Sequence, residues 1–127
     1  MTILIVEDNR TVRRLIRRAT SDIADKILEC EDGADALATY TAERPDVVLM
    51  DVRMPRMDGL SATREILRHH PGARIIILTD YNDDELRSAA REAGACAYAL
   101  KHNRSELDSV LQEVLGQAPC APSPRID

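Results

Sequence analysis

The chain has no tryptophan and no phenylalanine. A core must therefore be assembled from Ile, Leu, Val, Ala and Met, and recognition of nucleic acid by stacked bases has little to work with. It also lacks a positive balance: a formal net charge of -5 argues against sequence-independent nucleic-acid binding, which needs a basic footprint. No apolar run approaches the ~20 residues that span a bilayer, and no basic segment precedes the apolar start Ile3-Leu4. A cytoplasmic protein without a membrane partner is the expectation. The three cysteines, Cys30, Cys96 and Cys120, are odd in number and show no metal-ligand spacing. Cys30 and Cys96 fall at or near expected strands, where cysteine packs as a small hydrophobe. What remains is ordinary for one globular domain: 127 residues, 44% of them hydrophobic and 31% charged.

Asp51 organises the rest. It follows Val47-Val48-Leu49-Met50, a short apolar run opened by Pro45, which reads as a strand buried on both faces. A carboxylate at the end of such a strand lies at the edge where open parallel sheets collect ligands. Pro55 and Asp58-Gly59 then break the chain into a loop that leaves Asp51 reachable. Taken alone, an Asp capping a turn would explain the residue as well.

The pattern around it repeats. Thr2 to Val6 reads as a first strand, followed at once by Glu7-Asp8-Asn9. Asn9 or Asp8 caps a helix with Val12, Leu15, Ile16 and Ala19 on one face and Arg10, Arg13, Arg14, Arg17 and Arg18 on the other, a row expected to be solvated. A weaker strand at 26–30 and a turn at Asp32-Gly33 lead to a second helix. Asp58 caps a third, which stops at Pro71-Gly72, and His69-His70 near its end are expected to be exposed. Residues 74–78 form a fourth strand with Thr79 at its end. Asn82 is expected to cap a fourth helix closed by Gly94. Residues 96–100 form a fifth strand before Lys101, and Ser105 with Asp108 resembles a capping box on the last helix. Residues 1–116 make the domain; residues 117–127, rich in Pro, Ala and Ser, are expected to be a disordered tail or linker remnant.

Five strands alternating with five helices imply an α/β protein, a doubly wound (βα)5 parallel sheet. The flavodoxin-like strand order 2-1-3-4-5 fits best and sets a switch point between the first and third strands. Glu7, Asp8, Asp51, Thr79 and Lys101 then share one edge. Three carboxylates repel one another unless a cation joins them, and oxygen ligands open to water favour Mg2+. A carboxylate beside Mg2+, a lysine and a hydroxyl can accept a phosphoryl group, a transfer that needs positioning and charge neutralisation above all.

With these residues in place, the chain resembles the receiver domain of two-component response regulators, and its Asp83-Asp84-Glu85 helix start and Ala93-Gly94-Ala95 approach to the fifth strand further resemble receivers that precede helix-turn-helix output domains. The likeness rests on Ile5-Val6-Glu7-Asp8-Asn9, on Val48 through Gly59, on Ile77-Leu78-Thr79 and on Tyr98-Ala99-Leu100-Lys101. The resemblance implies that Asp51 is the phosphoacceptor for a sensor histidine kinase or phosphotransfer protein. It implies that Asp8 binds Mg2+ directly, Glu7 mainly through water, and Arg53 through its backbone carbonyl. Lys101 would pair with Asp51 and then with phosphoryl oxygens, Thr79 would donate its hydroxyl, and Tyr98 would be the switch aromatic. Such a domain catalyses its own phosphorylation and dephosphorylation without being a turnover enzyme. Its fourth helix, fifth strand and fifth helix would form the face that binds a partner or a second copy. The output, a single-domain regulator or a truncated transcription factor, is left open.

Two positions depart from the family pattern. Asp80 follows Thr79 where a small residue is usual, and an inward carboxylate there would repel a phosphodonor. His102 follows Lys101 where a proline in a cis peptide is usual, and a trans bond is expected instead, since a non-proline cis bond costs about 2.5–4 kcal/mol. The rival readings are a pseudo-receiver used without phosphorylation and a Mg2+-dependent phosphatase of the haloacid-dehalogenase type. The second normally needs another Asp two positions after the nucleophile, where Arg53 stands. A flavodoxin is disfavoured because no Ser/Thr/Gly-rich loop follows the first strand.

Overall fold

A computed structural model describes residues 1–80 and 83–116. Its sheet is made of β1 (Thr2–Val6), β2 (Lys26–Cys30), β3 (Val47–Asp51), β4 (Ile75–Thr79) and β5 (Ala97–Leu100), all parallel. The order is β2-β1-β3-β4-β5, the flavodoxin-like doubly wound arrangement. Helices α1 (Arg10–Thr20), α2 (Ala36–Glu43), α3 (Gly59–His69), α4 (Asp84–Ala93) and α5 (Arg104–Leu115) cover both faces.

Side chains alternate across each strand, so every strand feeds two cores. Leu4, Val6, Val48, Met50, Ile75 and Ile77 pack with Ala62 and Ile66 of α3 and Ala90 of α4. Ile3, Ile5, Val47, Leu49, Ile76 and Leu78 pack with Ile16 of α1 and Leu107, Leu111 and Val114 of α5. This double burial explains why β1, β3 and β4 read as unbroken apolar runs.

Register places the site. Val6 pairs with Met50, so the next residues, Glu7 and Asp51, leave the sheet side by side. Thr79 pairs with Leu100, and the Lys101 N–H donates to the Thr79 carbonyl at 2.8 Å, which brings the lysine to the same edge. The described residues hold no cis peptide, so the Lys101–His102 bond is trans.

Several local expectations change. Asn9, rather than Asp8, caps α1 by accepting from Val12 N–H. Leu15 is 56% exposed whereas Arg13 is buried, because β2 offers Glu29 to the inner side of α1. The arginine row is therefore not one solvated face: Arg13 and Arg17 both pair with Glu29. Asp83 caps α4, accepting from Glu85 and Leu86 N–H, whereas Asn82 lies outside the described residues. Asn103 caps α5 two residues before the expected box, accepting from Glu106 N–H, and Ser105 falls inside the helix. His69 is exposed as expected, but His70 is half-buried against the Tyr40 ring and bonded to the Thr41 hydroxyl. Cys30 is buried and free. The expected tail, 117–127, also lies outside the described residues.

Candidate functional site

Three strand ends build the site. Asp51, the last residue of β3, is 5% exposed, and its Oδ1 accepts from the Val52 N–H at 2.9 Å. Lys101, just past β5, places its ammonium 2.7 Å from Asp51 Oδ1 and 2.8 Å from Glu7 Oε1. Glu7, just past β1, is 1% exposed, and its Oε2 accepts from Asn9 N–H at 3.1 Å. The Lys101 contact to Glu7 Oε1 is close without hydrogen-bond alignment, and among the described residues that oxygen has no hydrogen-bond partner. Asp8 is exposed, and carboxylate oxygens of Glu7, Asp8 and Asp51 lie within 4.8 Å of one another.

Glu7, Asp8, Asp51, Arg53, Thr79, Asp80 and Lys101 all line one cavity of about 270 Å³. Thr79 is buried, whereas Asp80 is exposed at the cavity wall. Tyr98 is not among the lining residues. It sits 8% exposed in the core on the α4 side, with the Arg87 guanidinium 4.4 Å from its ring centroid. This burial excludes a solvent-facing surface tyrosine at the position.

The electrostatics are those of a site short of positive charge. Burial pushes the Asp51 carboxyl up; the Lys101 ammonium opposes the shift, and the Asp8 charge adds to it. Glu7 is raised for the same first reason, again opposed by Lys101, with Asp51 adding to the rise. Burial would lower Lys101, but its contacts with Asp51 and Glu7 outweigh burial and hold it above its ordinary value. One ammonium thus serves two buried carboxylates while a third stands at the rim. The under-bonded Glu7 oxygen and the oxygen-only donor set fit a hard divalent cation, with Mg2+ the natural occupant of a site open to water.

Two supporting residues escaped the sequence reading. Arg13 reaches under the site, its Nη1 donating to the Glu7 carbonyl at 2.8 Å while its Nε bonds Glu29. Gly59 opens α3 against the acceptor: a Cβ there would lie 1.9 Å from the Asp51 carbonyl oxygen. The Asp58-Gly59 pair signalled a turn, but nothing in the sequence alone tells how closely the helix approaches.

Comparison with known proteins shows the family and agrees with the fold. The family model described as the response regulator receiver domain matches residues 3–112. The chain is 40% identical over 108 residues to the uncharacterized transcriptional regulatory protein YhcZ of Bacillus subtilis, covering 84% of this chain and 50% of that protein. It is 36% identical over 99 residues to the chemotaxis protein CheY of Halobacterium salinarum, covering 78% and 82% respectively. Among solved structures, a LuxR-family two-component response regulator from Aurantimonas sp. SI85-9A1 superposes with a TM-score of 0.85 at 31% identity, covering 95% of this chain and 89% of that one. A CheX–CheY–BeF3–Mg2+ complex from Borrelia burgdorferi gives 0.81 at 27% identity, covering 90% and 88%. The chain spans about half the length of the first curated relatives it matches.

Proposed function

The chain belongs to the response regulator receiver family, and on that premise we propose that it accepts a phosphoryl group on Asp51 from a histidine kinase or phosphotransfer protein. The observation that most supports this reading is the buried Asp51 carboxylate, 2.7 Å from Lys101 and grouped with Glu7 and Asp8. Asp8 would ligate Mg2+ directly, Glu7 mainly through water, and Arg53 by its backbone carbonyl. The ion, when bound, supplies the positive charge that the carboxylates and the incoming phosphoryl oxygens lack.

Asp51, which lines the cavity, attacks phosphorus with a carboxylate oxygen. The bond from phosphorus to the donor nitrogen breaks, and its electron pair stays on the imidazole. Lys101 exchanges its Asp51 contact for a phosphoryl oxygen, and the Thr79 hydroxyl donates to another. These residues serve one cycle of self-modification rather than turnover of small phosphate esters. Residues 1–116 form the receiver, and Tyr98 transmits the displacement of Thr79 to the α4–β5–α5 face. A partner or a second copy responds only if it binds the two states differently. One relative is described as a transcriptional regulatory protein and one solved structure of 27% identity as a DNA-binding response regulator, which supports a DNA-binding output as the process such a receiver controls, beside action as a single-domain regulator.

Phosphate-affinity electrophoresis after incubation with acetyl phosphate and MgCl2 tests the reading. The wild type should give a retarded band, lost with EDTA and in Asp51→Asn. An unshifted wild type, given kinase as well as acetyl phosphate, would favour an unphosphorylated interaction module.

A further inference from the structure

Asp32, at the turn between β2 and α2, is a buried carboxylate that the phosphoryl-transfer chemistry leaves unused. Its Oδ1 accepts from Ala34 N–H at 2.9 Å and from Met57 N–H at 3.0 Å, and its Oδ2 accepts from Arg56 N–H at 2.9 Å. One bond caps its own turn; the other two reach across to the loop that joins β3 to α3. Burial would raise its pKa, but the three backbone donors outweigh burial and hold the carboxyl below its ordinary value. The carboxylate is therefore charged whenever the protein works near neutral pH.

That loop, residues 52–58, is fastened at two places. Its base is closed by Gly59 N–H donating to the Val52 carbonyl at 2.8 Å. Its far end rests on the β2–α2 turn, through the Asp32 carboxylate and through Gly33, where a Cβ would lie 2.5 Å from the Met57 carbonyl oxygen. Arg53 lies between the two fastenings and also lines the acceptor cavity. Backbone N–H bonds to a charged oxygen are among the stronger kind, so they resist displacement of the segment they hold.

The geometry points to Asp32 as a positioning residue for the divalent cation: by holding Arg56 and Met57 it fixes the loop that presents the Arg53 carbonyl, and so sets the affinity for Mg2+. This role rests on the receiver reading above. Asp32 does not touch the ion; it limits how far the Arg53 carbonyl can wander from its bound position. A direct hydrogen-bond partner of a metal ligand typically changes affinity by about 10–100-fold, and Asp32, one step further out through the loop, acts at the lower end of that range.

The test is a MgCl2 titration of the 15N-labelled full chain, read from amide chemical shifts, at a temperature where circular dichroism shows each variant folded. Asp32→Ala should raise the Mg2+ dissociation constant about 10-fold. Asp32→Asn should fall between, because its remaining oxygen still accepts from Ala34 and Met57 while its amide faces the Arg56 N–H. Val114→Ala, which thins the core beneath α5, should lower stability and leave the dissociation constant at the wild-type value. Wild-type affinity in both Asp32 variants overturns the proposal, as does an equal loss in Val114→Ala. If Asp32→Ala does not fold, Asp32→Asn decides alone. A wild type that does not respond to Mg2+ at all overturns the receiver reading itself, an outcome distinct from variants that merely match a binding-competent wild type.

Discussion

Replacing Lys101 by Met keeps the length of the side chain and removes the ammonium that serves two carboxylates. Glu7 and Asp51 have side chains only 1% and 6% exposed, so neither can recover its solvation by turning outward. Removing one partner from a fully buried ion pair costs about 3–5 kcal/mol. Water reaches this cavity past Asp8, so a loss of about 2–4 kcal/mol is expected at pH 7 without Mg2+. The sign with pH follows from the raised carboxyls. A carboxyl whose folded pKa lies above its unfolded value opposes folding when ionised, and that opposition fades as the pH falls from above the folded pKa toward the unfolded range near 4. Without Lys101 the opposition is larger, so the deficit should be widest at neutral pH and narrow on acidification. Mg2+ should return more stability to the variant than to the wild type, since it replaces a missing charge. Urea unfolding followed by far-UV circular dichroism, at pH 7 and pH 5 with and without Mg2+, measures all of this through the midpoint at constant slope. A deficit indifferent to both pH and Mg2+, or no deficit, would refute the electrostatic account of the site.

Gly59→Ala forces a methyl into the Asp51 carbonyl oxygen; it should cost about 2–3 kcal/mol in urea unfolding and slow phosphorylation, because the backbone carrying the acceptor must give way. Asn103→Ala should cost about 1 kcal/mol, whereas Ser105→Ala should stay close to wild type, since Asn103 holds the α5 cap. Asp80→Ala should speed labelling by acetyl phosphate and weaken its dependence on salt, as one carboxylate leaves the cavity wall; equal rates in the two proteins would remove Asp80 from the kinetics.

The sheet and its carboxyl edge were legible because their signals are local. Each interior strand is an apolar run ended by a polar residue, and parallel connection with right-handed crossovers leaves few ways to order such strands. Once that order is adopted, Glu7, Asp8, Asp51, Thr79 and Lys101 must meet. What escaped were interactions whose partners lie far away in sequence. Arg13 looked solvated because a helical pattern cannot know that β2 presents Glu29 beside it. Asp32 looked like a turn residue because only the folded chain brings Arg56 and Met57 to it. The start of α5 was misplaced for a different reason: two capping patterns overlap, and Leu100 N–H draws the Glu106 carboxylate back toward β5, favouring the earlier cap at Asn103.

The central claim is that Asp51 itself becomes an acyl phosphate. Borohydride reduces an aspartyl phosphate to the side-chain alcohol and leaves free carboxylates untouched. Peptide mass spectrometry of phosphorylated, borohydride-treated protein should therefore find homoserine in place of Asp51, with Glu7, Asp8 and Asp80 unchanged. Homoserine at another carboxylate, or at none under conditions where the phosphorylated band forms, would contradict the account.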